Sequence, residues 1–144
     1  MGQRQTRDGF RVAAATPPTG TKQVLVWQKG PDAGFTGSIG RFRRDWESIY
    51  MLGKWGPQNG TESAVIRTRS SRDTYMYHHP HSKPVSLMEH LIKQKDGVIA
   101  EPFAGSGSTL VAARNLGRRA IGVEIEEKFC ELIASRLSQG ALIF

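Results

Sequence analysis

The sequence contains a single cysteine, Cys130, in 144 residues, so no disulfide bond can form within the chain. Cys130 falls inside an amphipathic helical pattern, and we expect a buried, unreactive thiol rather than a nucleophile. No apolar run approaches the ~20 residues of a membrane-spanning helix. The basic N-terminus also lacks the apolar core of a secretory signal. The prediction is therefore a cytoplasmic location without a membrane partner.

Acidic residues are fewer than basic ones. The chain has 13 Asp and Glu residues against 20 Lys and Arg residues, which gives a formal net charge of +7. A basic excess favours a polyanionic partner, although a basic surface can also serve only to keep a protein in solution. The length allows at most one domain with its own core.

Residues 98–124 have the pattern of a nucleotide-type binding site. A short apolar strand is predicted over residues 98–102, and a glycine turn follows at residues 104–107. A helix of small residues comes next, and a second apolar strand over residues 120–124 ends on Glu124. This order of strand, turn, helix and strand is half of a nucleotide-binding unit.

The glycines and the carboxylate of this segment suit a ligand that contains a nucleoside. Gly105 and Gly107 allow the backbone to turn tightly and to approach a ligand closely. The helix that follows offers its N-terminal N–H groups to anionic atoms. Glu124 lies 17 positions after Gly107, close to the ~20-residue offset at which an acidic side chain meets ribose hydroxyls.

Three ligand classes compete for this segment. The dinucleotide fingerprint needs a third glycine three positions after the second, where this chain has Leu110. A P-loop ends in Gly-Lys-Ser/Thr, and this turn has no lysine. S-adenosylmethionine carries a ribose and an adenine but no phosphate, and it suits a glycine turn with a ribose-binding acid. The remaining alternative is that the two glycines only connect a strand to a helix.

Two blocks of the sequence carry a resemblance to a known family. Residues 101–109, Glu-Pro-Phe-Ala-Gly-Ser-Gly-Ser-Thr, resemble the Asp-Pro-Phe-x-Gly-Ser-Gly-Thr block of DNA amino-methyltransferases, which methylate the exocyclic nitrogen of adenine or cytosine. Residues 79–88, His-Pro-His-Ser-Lys-Pro-Val-Ser-Leu-Met, resemble the family's His-Pro-x-x-Lys-Pro-x-x-Leu segment. The blocks follow the family's order at close to its spacing, and the resemblance covers residues 79–137.

The resemblance implies an α/β fold of the Rossmann-like, S-adenosylmethionine-dependent methyltransferase type, with strand order 3-2-1-4-5-7-6. Residues 24–27 and 46–52 match the edge hairpin of strands 6 and 7, and residues 98–102 and 120–124 match strands 1 and 2. Strands 3, 4 and 5 have no candidate, so we expect an incomplete fold whose central strands are missing. Either the chain is the C-terminal part of a longer or split enzyme, or the two strand pairs close directly on each other.

The chain is predicted to contain a flexible arm and a partial domain. Residues 1–22 are polar and aperiodic and form the arm, and residues 23–144 form the partial methyltransferase domain. Residues 54–78 combine low hydrophobicity with turn residues. We expect this segment to be an excursion that contributes no core element and forms a short target-reading region. Residues 79–144 form the cofactor-binding part.

Three helices are predicted in the cofactor-binding part. The first begins at Pro84, the second spans residues 108–116, and the third spans residues 126–137. The first helix has an apolar face formed by Val85, Met88, Leu91 and Ile92. The third has an apolar stripe formed by Phe129, Leu132, Ile133 and Leu137.

Eight residues are assigned to S-adenosylmethionine by the resemblance. Glu101 would meet the cofactor's ammonium group, and Lys83 would lie near its carboxylate end. The alternative for Lys83 is a solvated lysine at a helix start, and the alternative for Glu124 is an ordinary exposed carboxylate. The assigned residues are Lys83, Glu101, Pro102, Phe103, Gly105, Ser106, Gly107 and Glu124.

Arginines provide the candidate contacts to DNA. They could follow the phosphates of a DNA strand, and a merely solvated basic loop is the alternative. The candidates are Arg41, Arg43, Arg44, Arg67, Arg69 and Arg72. His78, His79 and His81 have no companion ligands at metal-binding spacing, so no metal site is predicted.

The family's catalytic loop, (Asp/Asn/Ser)-Pro-Pro-(Tyr/Phe), has no clear counterpart. The sole Pro-Pro pair, in Thr16-Pro17-Pro18-Thr19, lacks the leading polar group and the aromatic residue. No catalytic residue is therefore assigned. The sequence predicts the C-terminal, cofactor-binding portion of a site-specific DNA methyltransferase of the restriction-modification type, with a second polypeptide supplying the loop. The alternative is a non-catalytic DNA- or cofactor-binding remnant or subunit.

Overall fold

The structure is a computed structural model, and it describes residues 19–30, 42–53, 62–68, 79, 81–93 and 96–139. In chain order, these residues form β1 (Thr21–Gln28), β2 (Trp46–Leu52), β3 (Val65–Arg67), α1 (Val85–Ile92), β4 (Ile99–Glu101), α2 (Ser108–Asn115), β5 (Ala120–Gly122) and α3 (Glu127–Ser138). The strands lie in a three-stranded sheet, β2-β1-β3, and a two-stranded sheet, β4-β5. Among these helices, none is long and apolar enough to cross a membrane. The predicted α/β class is confirmed.

β1 and β2 form the antiparallel pair that the family resemblance implies. Val24 pairs with Tyr50, and Trp27 pairs with Glu47. β1 begins at Thr21, so it includes the last two residues assigned to the N-terminal arm. Residues 1–18 of that arm lie outside the described residues.

β3 corrects the prediction that residues 54–78 contain no core element. It pairs in parallel with β1, and Ile66 faces Trp27 in the register. Ile66 is also buried, with 6% of its surface exposed. The strand has only three residues, too few to show a period of two, and its burial depends on side chains that are distant in the sequence.

The hydrophobic cluster of the described residues lies between the three-stranded sheet and α1. Trp27, Ile66 and Leu87 form its centre, and Leu87 is only 2% exposed. The sequence pattern missed Leu87, whereas the four predicted face residues of α1 are partly buried. The apolar face of α1 is wider than predicted. The reason is that α1 packs against two elements, the three-stranded sheet and α2.

The two-stranded sheet is parallel and is covered by α2. Ile99 pairs with Ala120, and α2 contacts both strands. Ala112 and Ala113 of α2 are fully buried, since small residues allow close packing of a helix on a sheet. The apolar residues that stay largely exposed on or beside these strands are Val98, Ile121 and Val123.

No backbone ladder joins the two sheets within the part of the chain that the structure describes. Contacts of α1 connect them instead: Asn115 Nδ2 donates to Glu89 Oε1 at 2.7 Å, and Arg118 Nη1 donates to the Ile92 carbonyl at 3.0 Å. The direct closure of the two strand pairs on each other, one of the two alternatives from the sequence, is therefore wrong.

Candidate cofactor-binding site

The carboxyl ends of β4 and β5 meet at one edge of the two-stranded sheet. Glu101, the last residue of β4, pairs with Gly122. Two hydrogen bonds continue beyond the strands. The Val123 N–H donates to the Glu101 carbonyl at 2.9 Å, and the Ala104 N–H donates to the Val123 carbonyl at 2.9 Å. The glycine turn therefore lies beside the segment that carries Glu124, at the edge where open α/β sheets bind ligands.

The glycine turn leads directly into α2. The Gly107 N–H donates to the Ala104 carbonyl at 2.8 Å. The φ angles of Gly105 and Gly107 are +53° and +79°, a left-handed region that other residues rarely adopt. Gly107 is the N-cap of α2, and the first N–H groups of a helix have no partner within the helix. The turn thus brings a helix N-terminus to the edge of the sheet.

The Glu124 carboxylate holds the glycine turn. Its Oε2 accepts a hydrogen bond from the Gly105 N–H at 2.7 Å. Its Oε1 accepts bonds from the N–H groups of Ile125 at 2.8 Å and Glu126 at 3.0 Å. Backbone hydrogen bonds, first from Glu126 and then from Gly105, lower the pKa of Glu124 below its ordinary value. The carboxylate is therefore ionised and oriented before any ligand binds.

The Glu101 carboxylate faces the start of α2. Its Oε2 accepts a hydrogen bond from the Thr109 hydroxyl at 2.9 Å, and its Oε1 accepts one from the Phe103 N–H at 3.3 Å. Pro102 is exposed, and 87% of Phe103 is exposed. The site thus combines two carboxylates from adjacent strands with an exposed aromatic ring.

Two residues of the upstream block, His79 and Ser82, pack on the glycine turn. A Cβ at Gly105 would lie 3.0 Å from His79 Nε2. The His79 ring also meets the Phe129 ring edge to face, with their centroids 4.6 Å apart. The buried hydroxyls of Ser82 and Ser106 are hydrogen-bonded at 2.8 Å. The two sequence blocks therefore form one structural unit.

Arg136 of α3 is buried against the glycine turn, and it was not predicted as a site residue. It is 5% exposed, and its Nη1 donates to the Ser106 carbonyl. In the same helix, Ile133 Cγ1 lies only 2.8 Å from where a Cβ at Gly107 would be. Arg114 Nη1 donates to the Arg136 carbonyl at 2.8 Å. The sequence offered one indication of a role for Arg136, because this residue lies within residues 79–137, which the family resemblance covers.

Lys83 contacts the three-stranded sheet. Its Nζ lies 2.6 Å from Glu47 Oε2 and 5.3 Å from the centre of the Trp27 ring. Lys29 Nζ lies 2.8 Å from the other carboxylate oxygen of Glu47. Burial raises the pKa of Glu47, but the hydrogen bonds and charges of the two lysines outweigh it and hold the pKa below its ordinary value. A contact of Lys83 with the cofactor stays a prediction.

The structure describes three of the six candidate arginines. Arg43 and Arg67 line one cleft, and the Arg44 carbonyl accepts a hydrogen bond from Lys29 Nζ at 3.4 Å. Their contact with DNA stays a prediction. The candidates outside the described residues are Arg41, Arg69 and Arg72, and most of the segment 16–19 also lies outside them.

Cys130 and the histidines form no metal-binding group within the described residues. The prediction of a buried Cys130 is wrong, because the thiol is exposed and its Sγ lies 3.6 Å from the Glu124 carbonyl. Phe129 and Ile133 are four positions apart and lie on the same face of α3. This face contacts His79 and the glycine turn. Cys130 lies on the neighbouring face.

A comparison with known families matches residues 61–135 to the DNA methylase family. The matched region is just over half of the chain and includes both sequence blocks and the whole glycine turn. The chain belongs to the DNA methylase family.

Relatives of this methylase chain include type II methyltransferases. M.HindIII of Haemophilus influenzae is 30% identical over 137 residues, which cover 90% of this chain and 43% of that protein. M.ScaI of Streptomyces caespitosus is 41% identical over 66 residues, which cover 44% of this chain and 22% of that protein. The chain therefore spans less than half the length of these relatives.

Solved structures confirm the Rossmann-like methyltransferase fold of this methylase chain. The M1.HpyAVI–SAM complex is similar with a TM-score of 0.61 and 27% identity, over 81% of this chain and 61% of that one. TTHA0409 from Thermus thermophilus, complexed with S-adenosyl-L-methionine, is similar with a TM-score of 0.52 and 26% identity, over 84% of this chain and 54% of that one.

Proposed function

We propose that this chain forms the S-adenosylmethionine-binding part of a DNA amino-methyltransferase. One observation carries the proposal: Glu101, the glycine turn and Glu124 meet at the carboxyl edge of two parallel strands, with the upstream block packed on the turn. Membership of the DNA methylase family and the cofactor complexes of two structural neighbours support it. The corresponding reaction is site-specific methylation of adenine or cytosine, of the restriction-modification type.

The residues around the glycine turn would bind the cofactor. Each carboxylate oxygen can accept two hydrogen bonds, and three of these four positions on Glu124 are taken by backbone N–H groups. Its Oε2 can therefore receive one ribose hydroxyl while it still holds Gly105. Glu101 would meet the ammonium group, and the exposed Phe103 ring would lie beside the ligand. The bound cofactor supplies an electrophilic methyl group. The proposed set is Lys83, Glu101, Pro102, Phe103, Gly105, Ser106, Gly107 and Glu124.

The catalytic loop is proposed to come from another segment or from a second polypeptide. An exocyclic amine is a poor nucleophile, because its lone pair is delocalised into the base, and it needs hydrogen-bond acceptors and a stacked aromatic ring. We assign cofactor binding to residues 79–144. We assign recognition of the DNA target to the short excursion over residues 54–78. DNA and the loop-bearing polypeptide are the proposed partners, and the cytoplasmic location stays a prediction.

Calorimetric titration with S-adenosylmethionine tests the cofactor assignment. Gly105→Val should abolish binding, because a branched side chain at φ +53° is strained and its Cβ would meet His79 at 3.0 Å. Gly117→Val is the matched control. It has a similar φ of +65° but no atom within 4 Å, and it lies at the far end of α2. Equal affinities of the wild type and Gly105→Val would contradict the assignment.

A second candidate function is a non-catalytic DNA- or cofactor-binding subunit, which the poor match of Thr16-Pro17-Pro18-Thr19 to the family's catalytic loop favours. Transfer of tritiated methyl groups to duplex and single-stranded DNA tests whether this chain alone is catalytic, which neither function expects. We expect no incorporation by this chain alone. Incorporation that disappears in the Pro17→Ala/Pro18→Ala variant would instead identify residues 16–19 as the catalytic loop.

A further inference from the structure

A basic cleft of about 460 Å³ lies at the carboxyl ends of β1 and β3. The charged and amide side chains that line it are Gln28, Lys29, Arg43, Asp45 and Arg67. The carboxyl ends of parallel strands are the usual binding edge of an α/β protein. The sequence pattern did not predict this cleft, because it depends on the pairing of β3 with β1.

The charge of the basic cleft is positive. Lys29, Arg43 and Arg67 contribute three positive charges, and Asp45 contributes one negative charge. Glu47 pairs with Lys29 but is shared with Lys83, so it does not cancel the positive excess. Arg43 Nη2 lies 3.8 Å from Asp45 Oδ2. An anionic ligand would therefore be attracted to the cleft.

Arg67 is exposed and makes one side-chain hydrogen bond in the basic cleft. Its Nε donates a hydrogen bond to Gln28 Oε1 at 2.9 Å. Its two Nη groups carry four more N–H donors, and they contact no acceptor among the described residues. A planar guanidinium that is held in this way can bind two oxygens of one phosphate.

The basic cleft is connected to the glycine turn by a chain of contacts. Lys29 binds one oxygen of Glu47, and Lys83 binds the other. Ser82, next to Lys83, is hydrogen-bonded to Ser106 in the turn. The cleft and the glycine turn are therefore linked by polar contacts through Glu47, Lys83 and Ser82.

We propose that the basic cleft binds a phosphodiester group of the DNA substrate. This inference rests on the proposed function, which supplies DNA as the substrate. The concave shape, the hydrogen bond between Arg67 and Gln28 and the polar contacts that link the cleft to the glycine turn distinguish the cleft from an ordinary solvated basic surface.

Fluorescence anisotropy with a labelled, mixed-sequence DNA duplex and the full chain tests the cleft. Arg67→Gln should weaken binding about tenfold at low salt. It should also reduce the slope of log K against log salt by about one, as expected for the loss of one phosphate contact. Arg119→Gln removes the same charge from an exposed residue at the amino end of β5, and it should weaken binding less than about twofold.

Two further measurements keep the outcome clear. Arg43→Gln should also weaken binding, and because Arg43 lies outside every strand, this variant tests the cleft even if Arg67→Gln disturbs β3. Circular dichroism of each variant reports any loss of structure. Phosphate binding by the cleft would be contradicted by equal effects of Arg67→Gln and Arg119→Gln, or by the absence of duplex binding at low salt. Calorimetry with S-adenosylmethionine tests the proposed function independently of DNA binding. If the wild type does not bind S-adenosylmethionine, the proposed function is contradicted, whereas phosphate binding by the cleft is not.

Discussion

The two sheets of this chain are packed with different kinds of side chain. In the three-stranded sheet, Trp27 and Ile66 pack against Leu87 of α1. The two-stranded sheet is covered instead by α2, in which Ala112 and Ala113 are fully buried. Large apolar side chains supply stability in proportion to buried area, whereas small ones allow a helix to pack closely on a sheet. The cluster of large apolar side chains lies on one sheet, and the candidate cofactor site lies at the edge of the other.

Each sheet also holds one carboxylate whose pKa is lowered, by different means. Glu47 is held by the ammonium groups of Lys29 and Lys83 against the cost of its burial. Glu124 is held mainly by backbone N–H groups. Mobile ions screen attraction between partly exposed charges, but they do not replace a backbone hydrogen bond. The two carboxylates should therefore respond differently to salt.

The largest effect is expected from Leu87→Ala. Leu87 is 2% exposed at the centre of the hydrophobic cluster, so truncation should lower the free energy of unfolding by about 2–5 kcal/mol. Urea denaturation measures the change. Leu116→Ala, at a leucine that is 39% exposed, should cost less than half as much. Equal costs would show that packing is not concentrated at α1.

Gly107→Ala should have the next largest effect. Its Cβ would lie 2.8 Å from Ile133 Cγ1, and its φ is +79°, so strain and overpacking together should cost about 2–3 kcal/mol. Gly117→Ala has a positive φ but open space around its Cβ, so it should cost only about 1 kcal/mol. Thermal denaturation of both variants separates the clash from the strain. Similar costs would mean that Ile133 moves aside freely.

Titration of the two lowered carboxylates tests the electrostatic part of the comparison. Both folded pKa values lie below the ordinary 4.5. Their contributions to stability are therefore complete above pH 4.5 and are lost as the pH falls through the lowered folded values. NMR titration of the carboxyl carbons should show the pKa of Glu47 rising toward its ordinary value in high salt, while that of Glu124 changes little. A larger salt response at Glu124 would contradict this distinction.

The smallest effect is expected where α1 meets the segment before β3. Glu62 lies 3.1 Å from His90 Nε2 and 2.9 Å from Lys93 Nζ, and all three side chains are about one-third or more exposed. Exposed ion pairs contribute little, so Glu62→Gln should lower the free energy of unfolding by at most about 1 kcal/mol. Urea denaturation measures it. A loss as large as that of Leu87→Ala would show that this segment depends on charge.

The two-stranded sheet and its turn were predictable because their information is local. Gly105, Gly107 and the apolar segments beside them specify the strand, turn and helix from neighbouring residues. The sequence also indicated that Glu101 and Glu124 would lie on adjacent strands. It could not show that Glu124 holds the Gly105 N–H, since that bond depends on the final path of the turn.

The rest of the fold depends on contacts between distant segments. β3 has only three residues, and Ile66 is buried by Trp27 and Leu87, which come from other parts of the chain. Arg136 is buried and donates to the Ser106 carbonyl, 30 positions away in the sequence. Neither feature produces a periodic pattern, so local rules missed both.

The hydrogen bond from Gly105 to Glu124 has a kinetic consequence. Because Glu124 holds the turn through backbone hydrogen bonds that need no ligand, we expect the turn to rearrange little when the cofactor binds. The apparent dissociation constant then needs no correction for a rare open state. We therefore expect cofactor association to occur in a single observable phase, and affinity differences among variants of this turn to appear mainly in the dissociation rate.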